Sequence, residues 1–184
     1  MTELALLAKD LGVHERTLRR AVSEGTLRAV RPTARTLALP LSERRYVRRR
    51  WPLLAGLRGA LRTEQNVRFA LLFGSAATGL DTPASDVDVL VNLRDGSLDR
   101  VVDLSSKLTT LIGRRVDVLR LEDAEAEPSF LAKVVADGRV LVDREGRWSR
   151  LRRRERNLDL RGRRQQASRA RAALAGIDRL LGAQ

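Results

Sequence analysis

The 184-residue sequence contains no cysteine and a single histidine, His14. The first absence excludes a disulfide framework and a thiolate zinc site, and the second excludes a multi-histidine metal cluster. Lysine is scarce as well: Lys9, Lys107 and Lys133 are the only three, and every other basic residue is arginine. No apolar run approaches the ~18 residues needed to cross a bilayer, so no membrane partner is expected. The opening stretch MTELALLAKDLG carries acids early and lacks a basic region followed by an apolar one, so it does not read as a secretory leader. A cytoplasmic protein is the expectation. At 43% hydrophobic the chain can bury a core, and its length suits one ordinary domain or two small ones.

What the sequence does have is positive charge, unevenly spread. The formal net charge is +13. Arginine bias alongside many alanines and leucines is also what a GC-rich genome produces, so the distribution says more than the total. Residues 1–62 hold 14 basic and 5 acidic side chains, residues 63–143 hold 9 and 14, and residues 144–184 hold 13 and 4. A basic, an acidic and a basic segment follow one another. With Pro52 and Gly56 punctuating the chain after Trp51, the expected units are 1–51, 52–146 and 147–184.

The first unit reads as two short helices and a tight turn, with Ala8, Gly12 and Leu18 at the spacing a helix-turn-helix needs. On the second helix Leu18, Ala21 and Val22 face inward, while Arg16, Arg19 and Arg20 share the opposite face at i, i+3 and i+4. Two strand-like runs, TLRAV and RTLAL, flank a Pro-containing turn and lead into a basic helix, PLSERRYVRRRW. Over roughly residues 3–50 this order resembles the excisionase- and MerR-like DNA-binding group. The resemblance implies DNA contacts from Arg16, Arg19 and Arg20; the bare pattern also suits a helical protein-interaction module.

From Asn66 the texture changes to strands alternating with helices, which implies an α/β (α+β) sheet. VRFALLF, DVDVLVNL, RRVDVLRL and RVLVDR read as strands, and SLDRVVDLSSKLTTLIG and SFLAKVVADG as helices. The last unit is helical and very basic, with a break near Gly162; its arginine run at 150–156 is either a solvated face or a phosphate contact. Trp51 and Trp148 are expected to pack the flanking helices onto the core.

The anomaly is Asp86-Val87-Asp88 inside an apolar run. Residues i and i+2 of a strand point to one face, so both carboxylates project together while Val87 and Val89 enter the core. Two carboxylates side by side resist joint ionisation unless a cation sits between them. A hard divalent ion resolves this, and magnesium is the usual choice when a phosphate shares the site. Gly74 and Ser75 end the preceding strand, where a residue without a side chain lets backbone N–H groups approach a phosphate. Asp117 is central in the next strand. If the two strands are neighbours, three carboxylates converge, enough for a two-metal site.

Gly-Ser, ten residues, Asp-x-Asp and a later strand aspartate resemble the polymerase-β nucleotidyltransferase superfamily over about residues 60–150. The likeness is greatest to the minimal nucleotidyltransferase (MNT) group, whose members include antitoxins that adenylylate HEPN toxins; VDREGRW, after the last strand, is similar to that group too. The resemblance implies a mixed sheet with flanking helices, a two-ion Mg2+ site, and ATP or another NTP as substrate. It implies that Gly74 and Ser75 hold the triphosphate and that Asp86 and Asp88 ligate both ions. Asp117 then completes the catalytic metal and helps deprotonate the acceptor. One position departs from the group: its arginine before the next glycine is Thr78 here, in GSAATG. Any phosphate grip from that side chain is missing, and arginines of the C-terminal segment are candidates to replace it.

The leading expectation is transfer of a nucleoside monophosphate, AMP from ATP, to a protein hydroxyl. By the same resemblance the acceptor is a tyrosine of a separate toxin-like polypeptide, and the N-terminal unit binds DNA. Two alternatives stand beside it. One is a DNA-binding regulator whose inactive nucleotidyltransferase domain senses nucleotide or mediates dimerisation, and the other is a nucleotidyltransferase acting on RNA.

Overall fold

A computed structural model describes residues 2–33, 36–155, 157–158, 160–161 and 164–165. Helix α1 (Glu3–Asp10) starts at Thr2, whose side chain accepts a bond from Ala5 N at 3.2 Å, with Glu3 in the first turn and Lys9 in the last. Gly12, at φ +66°, turns the chain into α2 (Glu15–Ser23). Leu4, Leu7, Ala8, Leu18 and Ala21 are buried where the two helices meet, and Arg16, Arg19 and Arg20 are exposed.

A small antiparallel hairpin follows, β1 (Val30–Thr33) and β2 (Thr36–Ala38). The strand expected over TLRAV therefore begins only at its last residue. The amides of Thr26 and Leu27 both donate to Ala21 O, at 2.8 and 3.1 Å, closing off α2 and leaving neither free for a ladder. Helix α3 (Leu41–Thr63) then runs for 23 residues with Pro52 inside it. The expected interruption at Pro52 and Gly56 is absent. An interior proline costs about 3 kcal/mol, whereas full burial of one large aliphatic side chain contributes about 1.5–3 kcal/mol. Val47, Leu54, Leu57 and Leu61 are wholly buried along this helix and Trp51 nearly so, which outweighs the proline.

The sheet comprises β3 (Val67–Phe73), β4 (Val87–Leu93), β5 (Val116–Arg120) and β6 (Arg139–Asp143) in the order β5-β4-β3-β6. Strand β3 pairs antiparallel with β4 and β6, and β4 pairs parallel with β5. Between them lie α4 (Gly74–Thr78), α5 (Leu98–Ile112), α6 (Leu121–Glu125) and α7 (Pro128–Asp137). Alternation along the strands divides the core. Ala70, Leu72, Val87, Val89 and Val91 join the side chains of α1, α2, α3 and α5 on one face, while Phe69, Leu71 and Leu90 meet α6, α7 and Leu151 on the other. The mixed sheet flanked by helices is the architecture read from the sequence.

Both tryptophans pack as expected, Trp51 in the first cluster and Trp148 against the second. Asp143 accepts from the amides of Arg147 and Trp148, each at 2.9 Å, and so starts the helical stretch 147–155. The break expected near Gly162 lies outside the described residues. No helix among those described is long and apolar enough to cross a membrane.

A polar knot joins the first face to the helical N-terminal part. Arg139 and Glu43 form a buried ion pair at 2.6 Å. Arg139 also donates to Ala77 O at 2.6 Å and to Thr26 O at 3.2 Å, and its guanidinium lies 3.5 Å above the Tyr46 ring. The Tyr46 hydroxyl donates to Ala76 O at 3.0 Å. Burial pushes this phenol up to about 12, so it remains a neutral donor. Two carbonyls of α4 are thus held by side chains from α3 and β6.

Candidate active site

The chain leaves β3 at Phe73 and turns sharply at Gly74, φ +70°, into the single turn of α4. Phe73 is the register partner of Asp88 on β4, and Asp88 is in turn the register partner of Asp117 on β5. Adjacent strands lie about 4.8 Å apart, so Asp88 sits between the glycine turn and Asp117. A Cβ on Gly74 would collide with the Asp88 carboxylate. Glycine is required here twice, by its backbone angle and by the close approach of a carboxylate.

Val87 and Val89 are fully buried on the face opposite Asp88, as alternation predicts, whereas Asp86, expected within the strand, lies just before β4 begins. Burial first, then the charges of Asp117 and Asp86, push the Asp88 carboxyl above its ordinary value. Asp86 and Asp117 are more open, at 45% and 47% side-chain exposure. Arg115 stands between them, its Nε 2.9 Å from Asp117 Oδ1 and 4.0 Å from Asp86 Oδ2. Sequence reasoning missed this arginine, although its i−2 relation to Asp117 is the signal that would have found it.

Among the described residues no three histidine, aspartate or glutamate side chains stand as a group that could hold a metal ion, so the expected convergence of Asp86, Asp88 and Asp117 into one cage is not seen. The chemistry of the donors is nevertheless of the kind a hard divalent ion takes. It offers only oxygen ligands, its central carboxylate is disfavoured as an anion by its neighbours, and the missing Gly74 side chain leaves that carboxylate its place.

The other sequence candidates are scattered. Ser75 is half-buried on α4 beside Gly74. Arg16, Arg19 and Arg20 belong to α2, where Arg19 Nε donates to Glu15 at 2.8 Å and Arg20 Nε to Glu24 at 2.7 Å. Thr78 turns its hydroxyl back onto Ser75 O at 3.1 Å. Beside it Ser42, Arg45, Arg49 and Arg50 of α3 line, with Gly79, a hollow of ≈ 290 Å³. Arginines do stand near the place of the missing family side chain, and these come from α3.

Residues 57–147 match the family model described as polymerase beta, nucleotidyltransferase. The matched span is just under half of the chain and contains the whole four-stranded sheet, so the similarity is to a nucleotidyltransferase domain of the polymerase-β kind. The solved structures that this chain matches include a toxin–antitoxin with AMP-PNP, 20% identical, covering 70% of this chain and 98% of that one at a TM-score of 0.48. The toxin–antitoxin MntA–HepT is 18% identical, with 71% and 98% covered and a TM-score of 0.45. A tri-AMPylated Shewanella oneidensis HEPN toxin in complex with MNT antitoxin is 16% identical, with 70% and 98% covered and a TM-score of 0.42. A comparison with curated proteins found no match.

Gly74→Ala tests the glycine turn directly. The left-handed backbone costs an alanine about 1–2 kcal/mol, and the new Cβ must displace the Asp88 carboxylate. A misplacement near 1 Å costs on the order of 100-fold in rate. The variant is expected to melt a few degrees lower and to lose at least about 100-fold in transfer, checked by thermal unfolding and by label incorporation.

Proposed function

We propose that this protein transfers a nucleoside monophosphate, AMP from ATP, to a hydroxyl on a protein acceptor. The observation that carries the reading is the register of Asp88 opposite Asp117 and beside the Gly74 turn. Gly74 and Ser75 receive the triphosphate, with Gly74 making the turn that brings Asp88 beside it. Asp86, Asp88 and Asp117 are the residues that would hold two Mg2+ ions. When bound, the ions supply charge stabilisation for the attacking and leaving oxygens. Asp117, half-exposed at the end of the trio and paired with Arg115, is the residue that would take the hydroxyl proton. The motif likeness to MNT antitoxins supports a tyrosine of a separate toxin-like polypeptide as the acceptor.

Incubation with ATP labelled on the α-phosphate, Mg2+ and cell extract tests the reading. Label on a discrete protein, abolished by chelator, supports it. Label on RNA selects the RNA-directed alternative, and no label at all selects the inactive-domain regulator.

DNA binding by the N-terminal helices is a second reading, favoured by the three exposed arginines of α2. Glu15 and Glu24 partly neutralise Arg19 and Arg20, so Arg16 carries the largest share of free charge. Replacing Arg16, Arg19 and Arg20 by alanine should cost roughly 1–3 kcal/mol for each base edge that an arginine reads in bidentate fashion. The slope of log affinity against log salt should become shallower, while transfer to protein is unchanged. Filter binding to the upstream DNA over a salt series measures both. A full-length wild type without affinity for that DNA at low salt defeats the DNA reading.

A further inference from the structure

We propose that Asp81, clamped between Arg50 and Arg114, is a positioning residue: it locks the loop that presents Asp86 against the start of the strand that carries Asp117. The assignment rests on the nucleotidyltransferase reading above. Residues 79–86 form neither helix nor strand, yet they end in a ligand for which placement within about 0.5 Å matters. Something must hold this segment still.

The loop turns its apolar side chain out and its carboxylate in. Leu80 is 81% exposed, whereas the Asp81 side chain is completely buried. Asp81 Oδ1 lies 2.6 Å from Arg50 Nη2 on α3, and Oδ2 lies 2.9 Å from Arg114 Nη1, just before β5. Arg50 Nη2 also donates to the Asp81 carbonyl at 2.9 Å. Arg114 reaches further: its Nε and Nη2 donate to Ser85 O at 3.2 and 2.5 Å. Ser85 is the residue before Asp86. On the other side of Asp86, Val87 N donates to Arg115 O at 2.9 Å. The backbone before and after Asp86 is therefore tied to residues 114 and 115, which lead directly to Asp117. The loop is closed on itself as well, Thr82 N donating to Ser85 Oγ at 3.0 Å and Ser85 N to Thr82 O at 3.1 Å.

Stability alone is a poor reason for this arrangement. A buried carboxylate between two arginines carries a desolvation penalty that an apolar plug would avoid, and such triads are often no more stable than apolar substitutes. Leu80, one position away, was available to fill the space. What the charged clamp supplies and leucine cannot is direction. The hydrogen bond from Arg114 to Oδ2, the one from Arg50 to the Asp81 carbonyl and the ion pair of Arg50 with Oδ1, an oxygen with no hydrogen bond of its own, together fix α3, the loop and the start of β5 relative to one another.

The test uses the full-length protein and the variants Asp81→Asn, Arg114→Gln and Arg114→Lys, well below their melting temperatures. Mn2+ affinity is read by paramagnetic resonance, and backbone mobility by hydrogen–deuterium exchange. Affinity for a non-hydrolysable ATP analogue without metal serves as the third readout. Changes to groups that orient metal ligands typically cost 10- to 100-fold in metal affinity. Asp81→Asn and Arg114→Gln are expected to lose Mn2+ affinity by about that factor. Exchange should quicken across 79–87 only, and affinity for the analogue should stay within about threefold. Arg114→Lys, which keeps the charge opposite Asp81 but loses the fork onto Ser85 O, should fall between. If Asp81→Asn does not fold, Arg114→Gln, which leaves the Arg50–Asp81 pair in place, gives the same readouts. A wild type that binds Mn2+ with variants that bind it equally, at unchanged exchange, overturns this assignment alone. A wild type that binds no Mn2+ overturns the nucleotidyltransferase reading and this assignment with it.

Discussion

Asp86→Asn and Asp88→Asn are each expected to reduce nucleotidyl transfer on the order of 1,000-fold while leaving the fold intact. Both substitutions keep shape and remove a ligand charge, and charge stabilisation at a two-ion site contributes several kcal/mol, each 1.36 kcal/mol being about tenfold in rate. The same substitution at Asp88 should act in the opposite sense on stability. Asp88 is held above its ordinary carboxyl value by burial and by Asp117 and Asp86. Between the unfolded value, about 4, and the raised folded value, the folded state binds more protons than the unfolded one. Stability therefore falls as pH rises through that window, and the penalty is fully present above it. Asp88→Asn removes the penalty, so in chelator at neutral pH its melting temperature should exceed that of wild type. Mg2+ should then raise the wild-type melting temperature and scarcely move the variant. Label incorporation and thermal unfolding with and without chelator check both halves. Near wild-type transfer by the Asp86→Asn/Asp88→Asn double variant defeats the enzyme reading.

The parts of this site that were legible in the sequence are those governed by local period. Asp86, Val87, Asp88 and Val89 declare a strand with one charged and one buried face, and the structure buries both valines. Whether Asp117 meets Asp88 depended on strand order, which no local pattern fixes; the parallel pairing of β4 with β5 supplies it. Pro52 misled because its cost is local whereas the burial that offsets it involves the sheet. The TLRAV strand was misplaced because Thr26 and Leu27 direct their amides to Ala21, a closure invisible to alternation. Asp81 gave no signal at all. Beside Leu80 in a loop, the acid is the residue any pattern would put in water. Arg139 did give one, as a charged residue opening the run RVLVD, which is otherwise a buried strand. Its partner Glu43 lies 96 positions away, beyond the reach of sequence periodicity.

Arg139→Met is expected to be the most destabilising single change away from the site. Arg139 and Glu43 expose only 3% and 5% of their side chains, so removing the guanidinium leaves a carboxylate buried without its counter-charge. Breaking a buried pair in this way costs about 3–5 kcal/mol, against a total stability of about 5–15 kcal/mol for a typical domain. Two further penalties add to it, since Ala77 O and Thr26 O are each deprived of their arginine donor. The double variant Glu43→Leu/Arg139→Met should recover only part of the stability. It removes the stranded charge, but the two carbonyls and the Arg28 amide, which donates to Glu43 Oε1 at 3.0 Å, stay unsatisfied. The effect should also reach the active site, because Ala77 belongs to the turn that begins at Gly74. Affinity for an ATP analogue should weaken in Arg139→Met even under conditions where it remains folded. Urea unfolding monitored by tryptophan fluorescence measures the first expectation and calorimetric titration the second. A destabilisation below about 1 kcal/mol, the level of an exposed pair, would show that the knot between α3, α4 and β6 does not hold the site in place.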